Sequence, residues 1–516
     1  MEHVNYLPSP RGHFTSSSKE KLNPKHKSKG YKMCFCWHFF WSELKLQLRL
    51  AGPLITNNFL QISVQIISLV FVGHLGELAL SSSSLAISMA NVMGICVMTG
   101  MASGLETLCG QAIGAKQYKL VGLYLQTGII VLSVTAVFPS FLCGYMKAIL
   151  VAFGQDELIS QEAGRYSRFL IPSLFAQASL QPLIRILQVQ SIVNPLVLCS
   201  GVAILSHVLL CRYLLYNTDL GFIGAAISTS ICNWINVVLL YGYVMFSPAC
   251  SMIRTPLSLK SLEYTKSFSK LALPSAAMIC MRALEIAFHS FKIILLFPSS
   301  SLQWWCYEIF IVLSGLLPNP QLQTAALSAC LNFSNLTFQI PFGLSGTIST
   351  RVSNELGAGQ AKTAHNAVLV ATLLTETQAL LVSIFLLSCH NVLGYVFSGG
   401  RDVIKTFADL LQLLALSSFL DSNQALLSGI TRGCGWQVLG AVINLGAFYM
   451  VAMPIGTCLG FLTQLRARGL WIGVICGPFV QIFVLGLITW RANWEEEATK
   501  ARQHVLNNSM ADRLPT

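Results

Sequence analysis

The sequence predicts an all-α membrane protein of about twelve transmembrane helices in two six-helix lobes related by an internal repeat. Three observations predict it. Hydrophobic residues fill 54% of the 516 positions and charged residues only 10%, with a mean hydropathy of +0.62. No soluble domain of ordinary surface-to-volume ratio has that balance. Apolar stretches of about 20 residues recur along the chain, each long enough to cross a roughly 30 Å hydrocarbon core. Finally, Arg49-Leu50-Ala51-Gly52-Pro53 is echoed by Lys270-Leu271-Ala272-Leu273-Pro274, and each opens a long apolar run.

The first 48 residues carry Lys19, Lys21, Lys25, Lys27, Lys29 and Lys32 among Ser, Pro and Gly. Such a stretch buries little apolar surface and is expected to be a disordered basic tail, and it lacks the apolar core of a signal peptide. Spans are expected at 50–73, 85–108, 120–144, 165–187, 192–214 and 222–245, giving a first lobe over 49–248. A linker over 249–270 follows. The second lobe, 271–491, holds spans at 271–316, 324–347, 364–389, 404–429, 437–460 and 470–490, and a tail runs over 492–516. The segment 271–316 is too long for one crossing.

Basic residues cluster in alternate loops: Lys116 and Lys119, then Arg254, Lys260, Lys266 and Lys270, then Arg351 and Lys362, then Arg432. The other loops hold Glu77, Asp156, Glu157 and Asp219, with Arg466 and Arg468 as exceptions. By the positive-inside rule both termini are expected in the cytoplasm of a multi-pass protein in the plasma or vacuolar membrane. The net charge of +12 then reflects topology and lipid contact, and nucleic acid is not an expected partner.

Sixteen cysteines stand singly, without CxxC pairs or histidines at metal spacing, and read as small core hydrophobes. No metal site is expected. The sequons at Asn332 and Asn335 fall inside an expected span. No P-loop, nucleophile elbow or HExxH motif is present, so neither an ATP-driven pump nor an enzyme is expected.

Pro53 and Pro274 stand 221 residues apart. Farther on, Ile113-Gly114-Ala115 matches Leu356-Gly357-Ala358, and Gln181-x-Leu183-Ile184 matches Gln424-x-Leu426-Leu427, both 243 apart. Order and spacing together indicate a duplicated transporter whose second half carries about 22 extra residues between Pro274 and Leu356.

Four motifs carry a family resemblance: Phe71-Val-Gly-His-Leu-Gly-Glu-Leu78, Leu105-Glu-Thr-Leu-Cys-Gly-Gln-Ala-Ile-Gly-Ala-Lys116, Thr350-Arg-Val-Ser-Asn-Glu-Leu-Gly-Ala-Gly359, and Leu420-Asp-Ser through Arg432-Gly-Cys-Gly-Trp436. In this order they resemble the multidrug and toxic compound extrusion (MATE) family, specifically its plant branch. The similarity runs from about residue 45 to about 500 and takes in Trp494-Glu-Glu-Glu-Ala498. The resemblance implies two lobes around a central cavity that opens alternately to either face, exporting organic compounds, often cationic xenobiotics or secondary metabolites, in exchange for protons. The energy source is then the proton gradient, with no cofactor. The expected partners are small organic substrates, protons and the lipid bilayer, and the chain is expected to be monomeric.

Proton exchange needs a carboxyl where water is scarce, because a low-dielectric site favours its neutral form. Glu106, Glu285, Glu308, Glu376 and Asp421 lie inside expected spans. Glu106 stands near a helix end, where a capping role competes. Glu376 lies between Thr375 and Thr377, which can satisfy it. The resemblance places the proton-linked acids in the second lobe, and there Asp421 matches directly. In the Glu-Trp-Trp pattern of the seventh helix this chain has Gln303 before Trp304 and Trp305, and an amide cannot exchange a proton. Glu308, one turn beyond Trp304, matches the family's second acid there. Ser68 occupies the position of the bacterial branch's acid, so the first lobe is not expected to carry the proton.

Residues 281–301 have no place in the family pattern. Either this insert loops out, or 271–297 forms a helix that displaces 302–317 and brings Glu285 toward the site, or the segment is untranslated sequence carried into the chain. Substrate contacts are expected from Gln303, Trp304, Trp305, Tyr307, Gln61, Gln65 and Asn335, since aromatic and amide groups accept varied planar organics. Pro53, Pro274, Pro341 and Pro454 interrupt helices and suit bending. Arg351 and Glu355 are expected to pair at a helix end as hinge or gate. A lipid or lipid-linked flippase of similar fold, and a transport-deficient variant arising from Gln303 and the insert, are the alternatives.

Overall fold

A computed structural model describes residues 37–152, 155–256, 316–397 and 401–511, together with 261, 264, 265, 268, 306, 307, 309, 310, 313 and 314. In the first lobe, α1 (Trp37–Gly73), α2 (Leu78–Gly114) and α3 (Tyr118–Gly144) are followed by the short α4 (Met146–Ala152). Then come α5 (Glu157–Val189), α6 (Asn194–Tyr216) and α7 (Ile223–Phe246). In the second lobe, α8 (Pro320–Gly357), α9 (Ala361–Phe397), α10 (Arg401–Cys434), α11 (Gln437–Phe461) and α12 (Ala467–Arg491) are followed by α13 (Trp494–Ala511). The expected Pro274 and the insert 281–301 lie outside the described residues.

Helix is the natural outcome for these runs, because backbone groups in lipid must be satisfied within their own segment. Asp156 caps α5, its carboxylate accepting from the Leu158 and Ile159 amides at 2.9 and 3.1 Å. A wide π-turn, Gly446–Ala452, interrupts α11 just before Pro454, whose ring cannot accept the ordinary helical register. Pro53 and Pro341 lie inside α1 and α8.

Nine described helices are long and apolar enough to cross a membrane. The long α8 and α10 are not among them. Their polar residues face protein instead: Ser345, Thr347, Ser349, Thr350 and Ser353 on α8 are buried, as are Ser417, Ser418, Asp421, Ser422 and Gln424 on α10.

The internal repeat is visible in hydrogen bonds. After α2, the amides of Lys116 and Gln117 donate to Ile113 and Ala112 at 2.9 and 2.8 Å; after α8, Gly359 and Gln360 donate to Leu356 and Glu355 at 2.9 and 2.8 Å. These are the same helix-ending turn, 243 positions apart, with left-handed φ of 60° at Lys116 and 75° at Gly359. A second pair closes α5 and α10, where Ile192 donates to Leu187 and Trp436 to Thr431, both at 2.9 Å.

Each lobe has its own core. Met98, Leu105, Tyr124 and Tyr166 fill the first, and Phe310, Phe407, Phe448 and Trp471 the second. The lobes meet through α1 and α2 against α8, and through α2 against α10. The contact lies at the end that carries the basic loops. There α2 and α8 cross backbone to backbone: a Cβ on Gly114 would stand 2.0 Å from the Asn354 carbonyl oxygen, and one on Gly357 2.2 Å from that of Gln111. Only glycine permits this approach.

Two sequence expectations shift at the ends of the chain. The tail expected over 1–48 is helical from Trp37, because Glu43 and Gln47 are buried against the second lobe and extend α1. The tail expected over 492–516 contains α13, whose Trp494, Ala498, Ala501 and Val505 are buried. Trp494, Ala498 and Ala501 join the second lobe, while Val505 joins the core of the first. Trp436 anchors the helix by donating to Glu497 at 2.9 Å. On its outer side, Glu496 and Glu497 take hydrogen bonds from Lys500 and hold that ammonium above the ordinary lysine range.

Candidate functional site

Asp421 lies midway along α10 and is 4% exposed. The Tyr307 hydroxyl donates to Asp421 Oδ1 over 3.4 Å. The Tyr307 ring stands edge-on to Phe448 of the α11 π-turn, with centroids 6.2 Å apart. Nearby on α10, Ser418 Oγ and Gln424 Oε1 are buried with no hydrogen-bond partner among the described residues. The structure thus joins two sequence candidates, Asp421 and Tyr307, in a carboxyl, phenol and hydroxyl setting. Gln303, Trp304, Trp305, Glu308 and Glu285 lie outside the described residues. Glu376 is half-buried on α9, and Asn335 is half-buried on α8, its carbonyl accepting from Gln339.

Gln61 and Gln65 belong to a different place. They line a cavity of about 40 Å³ inside the first lobe, together with Asn91, Ser173, Gln177, Thr229 and Asn233. The Gln65 and Asn91 amides bond each other reciprocally, both at 2.9 Å. Ser68, at the bacterial acid's position, bonds His207 Nε2 at 3.0 Å.

The basic end of the lobe interface is closed by charge. Arg351 on α8 pairs with Glu355 at 2.8 Å and also holds Glu43 of α1 through Nε and Nη2, both at 2.9 Å. Gln47 donates to the Ala367 carbonyl of α9 at 2.9 Å. Deeper, Glu106 of α2 lies between Arg185 of α5 at 2.7 Å and Arg432 of α10 at 3.2 Å. Glu106 is 1% exposed. Gln188 reaches the Gly346 carbonyl and Thr350 Oγ1 of α8 at 3.0 and 3.2 Å, and Asn354 donates to the Val189 carbonyl at 3.0 Å. At the opposite end Arg468, one of the two charge exceptions, pairs with Asp409. Sequence reasoning found Arg351 with Glu355 but missed Glu43, Arg185 and the partners of Glu106. The available signal was helical spacing: Glu43, Gln47, Leu50, Ala51 and Leu54 share one buried face.

Two lobes of one repeat that meet at a charged, glycine-packed end, with a buried acid in the interior of one of them, are the architecture of a membrane transporter. The comparisons give the family. The MatE family model matches residues 53–212 and again 296–457, once in each lobe. The chain is 45% identical over 467 residues to Protein DETOXIFICATION 16 of Arabidopsis thaliana, covering 90% of this chain and 92% of the relative. It is 42% identical to Protein DETOXIFICATION 10 of the same plant, over 90% and 91%. A solved structure titled as that of the eukaryotic MATE transporter AtDTX14 matches with a TM-score of 0.84 and 41% identity, over 90% of this chain and 100% of that one. A MOP superfamily transporter from Pyrococcus furiosus, 16% identical, shares the fold at a TM-score of 0.76, over 89% and 97%. The chain therefore belongs to the MATE family, with the two-lobe, twelve-helix fold and an efflux role.

Proposed function

We propose that the protein exports organic compounds, often cationic, in exchange for protons by alternating access, with Asp421 and Glu308 as the proton-coupling acids. The observation that carries this reading is Asp421: a carboxyl buried within the second lobe, hydrogen-bonded by Tyr307 and bordered by polar atoms with no partner among the described residues. Such a group can hold either a proton or a cationic substrate, but not both. With the basic end facing the cytoplasm, the glycine crossing of α2 and α8 and the ion pairs of α8 with α1 and of α10 with α2 are a closed cytoplasmic gate, and the described state faces outward. Pro53, Pro274, Pro341 and the Arg351 and Glu355 pair are the hinge and gate elements. Gln303, Trp304, Trp305, Tyr307, Gln61, Gln65 and Asn335 are the substrate contacts. The driving force is the pH gradient plus about 2.3 kcal/mol per charge for each 100 mV of potential. The protein acts as a monomer in the plasma or vacuolar membrane, with both termini in the cytoplasm.

The test is efflux from loaded proteoliposomes under an imposed pH gradient. Wild type moves substrate uphill, and Asp421→Asn abolishes that movement. Unchanged uphill efflux in the variant removes Asp421 from the mechanism. Gln303 favours a second reading, a transport-deficient variant, since it replaces an expected acid with an amide. Restoring the acid with Gln303→Glu separates the two: a large gain in uphill transport supports the deficient reading.

A further inference from the structure

Among the described residues Arg351 and Arg432 make ion pairs across the lobe interface, and they are not equivalent. Arg351 holds Glu43 across the interface, but it also holds Glu355 on its own helix at 2.8 Å. When the basic end opens, Arg351 keeps a carboxylate. Arg432 binds Glu106 at 3.2 Å across the interface, and its other guanidinium partner among the described residues, the Ser345 hydroxyl at 2.9 Å, is neutral. Glu106 keeps Arg185, since both belong to the first lobe and stand 2.7 Å apart. Separation of the lobes therefore leaves Arg432 as a guanidinium without an anion on the wall of the opened cavity. The closed cluster already carries one positive charge more than negative, and Arg185 Nε is buried with no acceptor among the described residues.

We infer that Arg432 is a substrate-recognition residue of the inward-open state, taking an anionic oxygen group, a carboxylate above all, on those exported compounds that carry one. This rests on the alternating-access reading above and specifies the chemistry of its substrate. A guanidinium in a partly dry site pairs best with a planar two-oxygen anion through parallel N–H···O bonds. Arg432 follows Asp421 by eleven positions on α10, close to three full turns, so both lie on the same face about 16 Å apart along the helix. A compound entering from the basic end meets Arg432 first and the proton-linked acid later. The bound anion replaces Glu106 as the counter-charge, and Glu106 displaces it again when the lobes close. The gate bond thus doubles as the release step.

Two fluorescent probes sharing one ring system, coumarin-3-carboxylate and its ethyl ester, distinguish this role from a purely structural one. Uptake into inverted proteoliposomes gives kcat/KM for each. Arg432→Gln is expected to lower the carboxylate-to-ester ratio about tenfold, while Arg432→Lys, which keeps the charge, retains most of it. An unchanged ratio in Arg432→Gln, or equal falls in Arg432→Gln and Arg432→Lys, overturns the inference. Should Arg432→Gln be inactive with both probes, carboxylate binding to the solubilised protein, read by fluorescence anisotropy, decides. A Kd raised about tenfold in Arg432→Gln and near wild type in Arg432→Lys supports the site, and equal Kd values in all three proteins overturn it. Failure of both probes to move uphill in wild type refutes the alternating-access reading instead, and the anisotropy comparison still tests Arg432 alone.

Discussion

The Arg351 guanidinium on α8 grips the Glu43 carboxylate on α1 through two parallel hydrogen bonds of 2.9 Å, joining residues 308 positions apart and in different lobes. Planar two-point contact of this kind fixes orientation as well as distance. With the α2 and α8 glycine crossing, it holds the basic end shut.

Glu43→Gln is expected to loosen that end. Breaking one partner of a buried pair costs about 3–5 kcal/mol when the survivor is stranded. Arg351 retains Glu355 at 2.8 Å, so a loss of about 1–2 kcal/mol is expected, a shift of roughly 5- to 30-fold in the closed-to-open ratio. Spin labels at Lys119→Cys and Lys362→Cys, both on exposed residues, report the change as a larger long-distance fraction. An unaltered distance distribution removes the pair from the gate.

Gly357→Ala places a methyl group against the Gln111 carbonyl at a built distance of 2.2 Å. Backbone cannot yield as a flexible side chain does, so the closed end is disfavoured and transport slows at least tenfold, by about 1.4 kcal/mol or more. Gly201→Ala on α6, where nothing lies within 4 Å, is the control and keeps near-normal rates. Equal rates in the two variants refute the crossing as a constraint.

Tyr307→Phe removes the phenol that donates to Asp421 over 3.4 Å. A hydrogen bond this long is worth about 0.5–1.5 kcal/mol. Transport is therefore expected to fall 2- to 10-fold while staying uphill, unlike the complete loss in Asp421→Asn. Complete loss in Tyr307→Phe makes the phenol a participant in substrate or proton handling beyond positioning the acid.

Trp494→Ala should release α13. The ring is buried and packs edge-on to His365, with centroids 5.7 Å apart, and truncating a buried aromatic costs about 3–5 kcal/mol at a core site. Limited proteolysis of the solubilised protein is expected to cut within Trp494–Ala511 at least tenfold faster in the variant. An unchanged cleavage rate shows that the helix is held by other contacts.

Much of the fold was legible because lipid leaves few alternatives. Apolar length gives the spans, and the 243-residue spacing that recurs in the helix-ending turns at Lys116 and Gly359 was already present in Ile113-Gly-Ala and Leu356-Gly-Ala. Asp421 stood out as an acid in an apolar run. The charge cluster at the lobe contact was less legible, because Glu106, Arg185 and Arg432 come from three helices, and sequence distance says nothing of their meeting. Glu43 was obscured by its place beside a lysine-rich tail. The face shared by Trp494, Ala498, Ala501 and Val505, spaced by four, three and four residues, was readable as an amphipathic helix but was passed over as tail.

The last helix carries a practical consequence. Because Val505 is seated in the core of the first lobe while Trp494, Ala498 and Ala501 are seated on the second, α13 is stapled across the seam that parts in the proposed alternating-access cycle. In that cycle a fluorescent protein or purification tag fused just beyond it is expected to add bulk at the joint and to bias which face of the transporter is open. A small dye attached at exposed Gln503 turns the same staple into a reporter, signalling each opening from outside the permeation path.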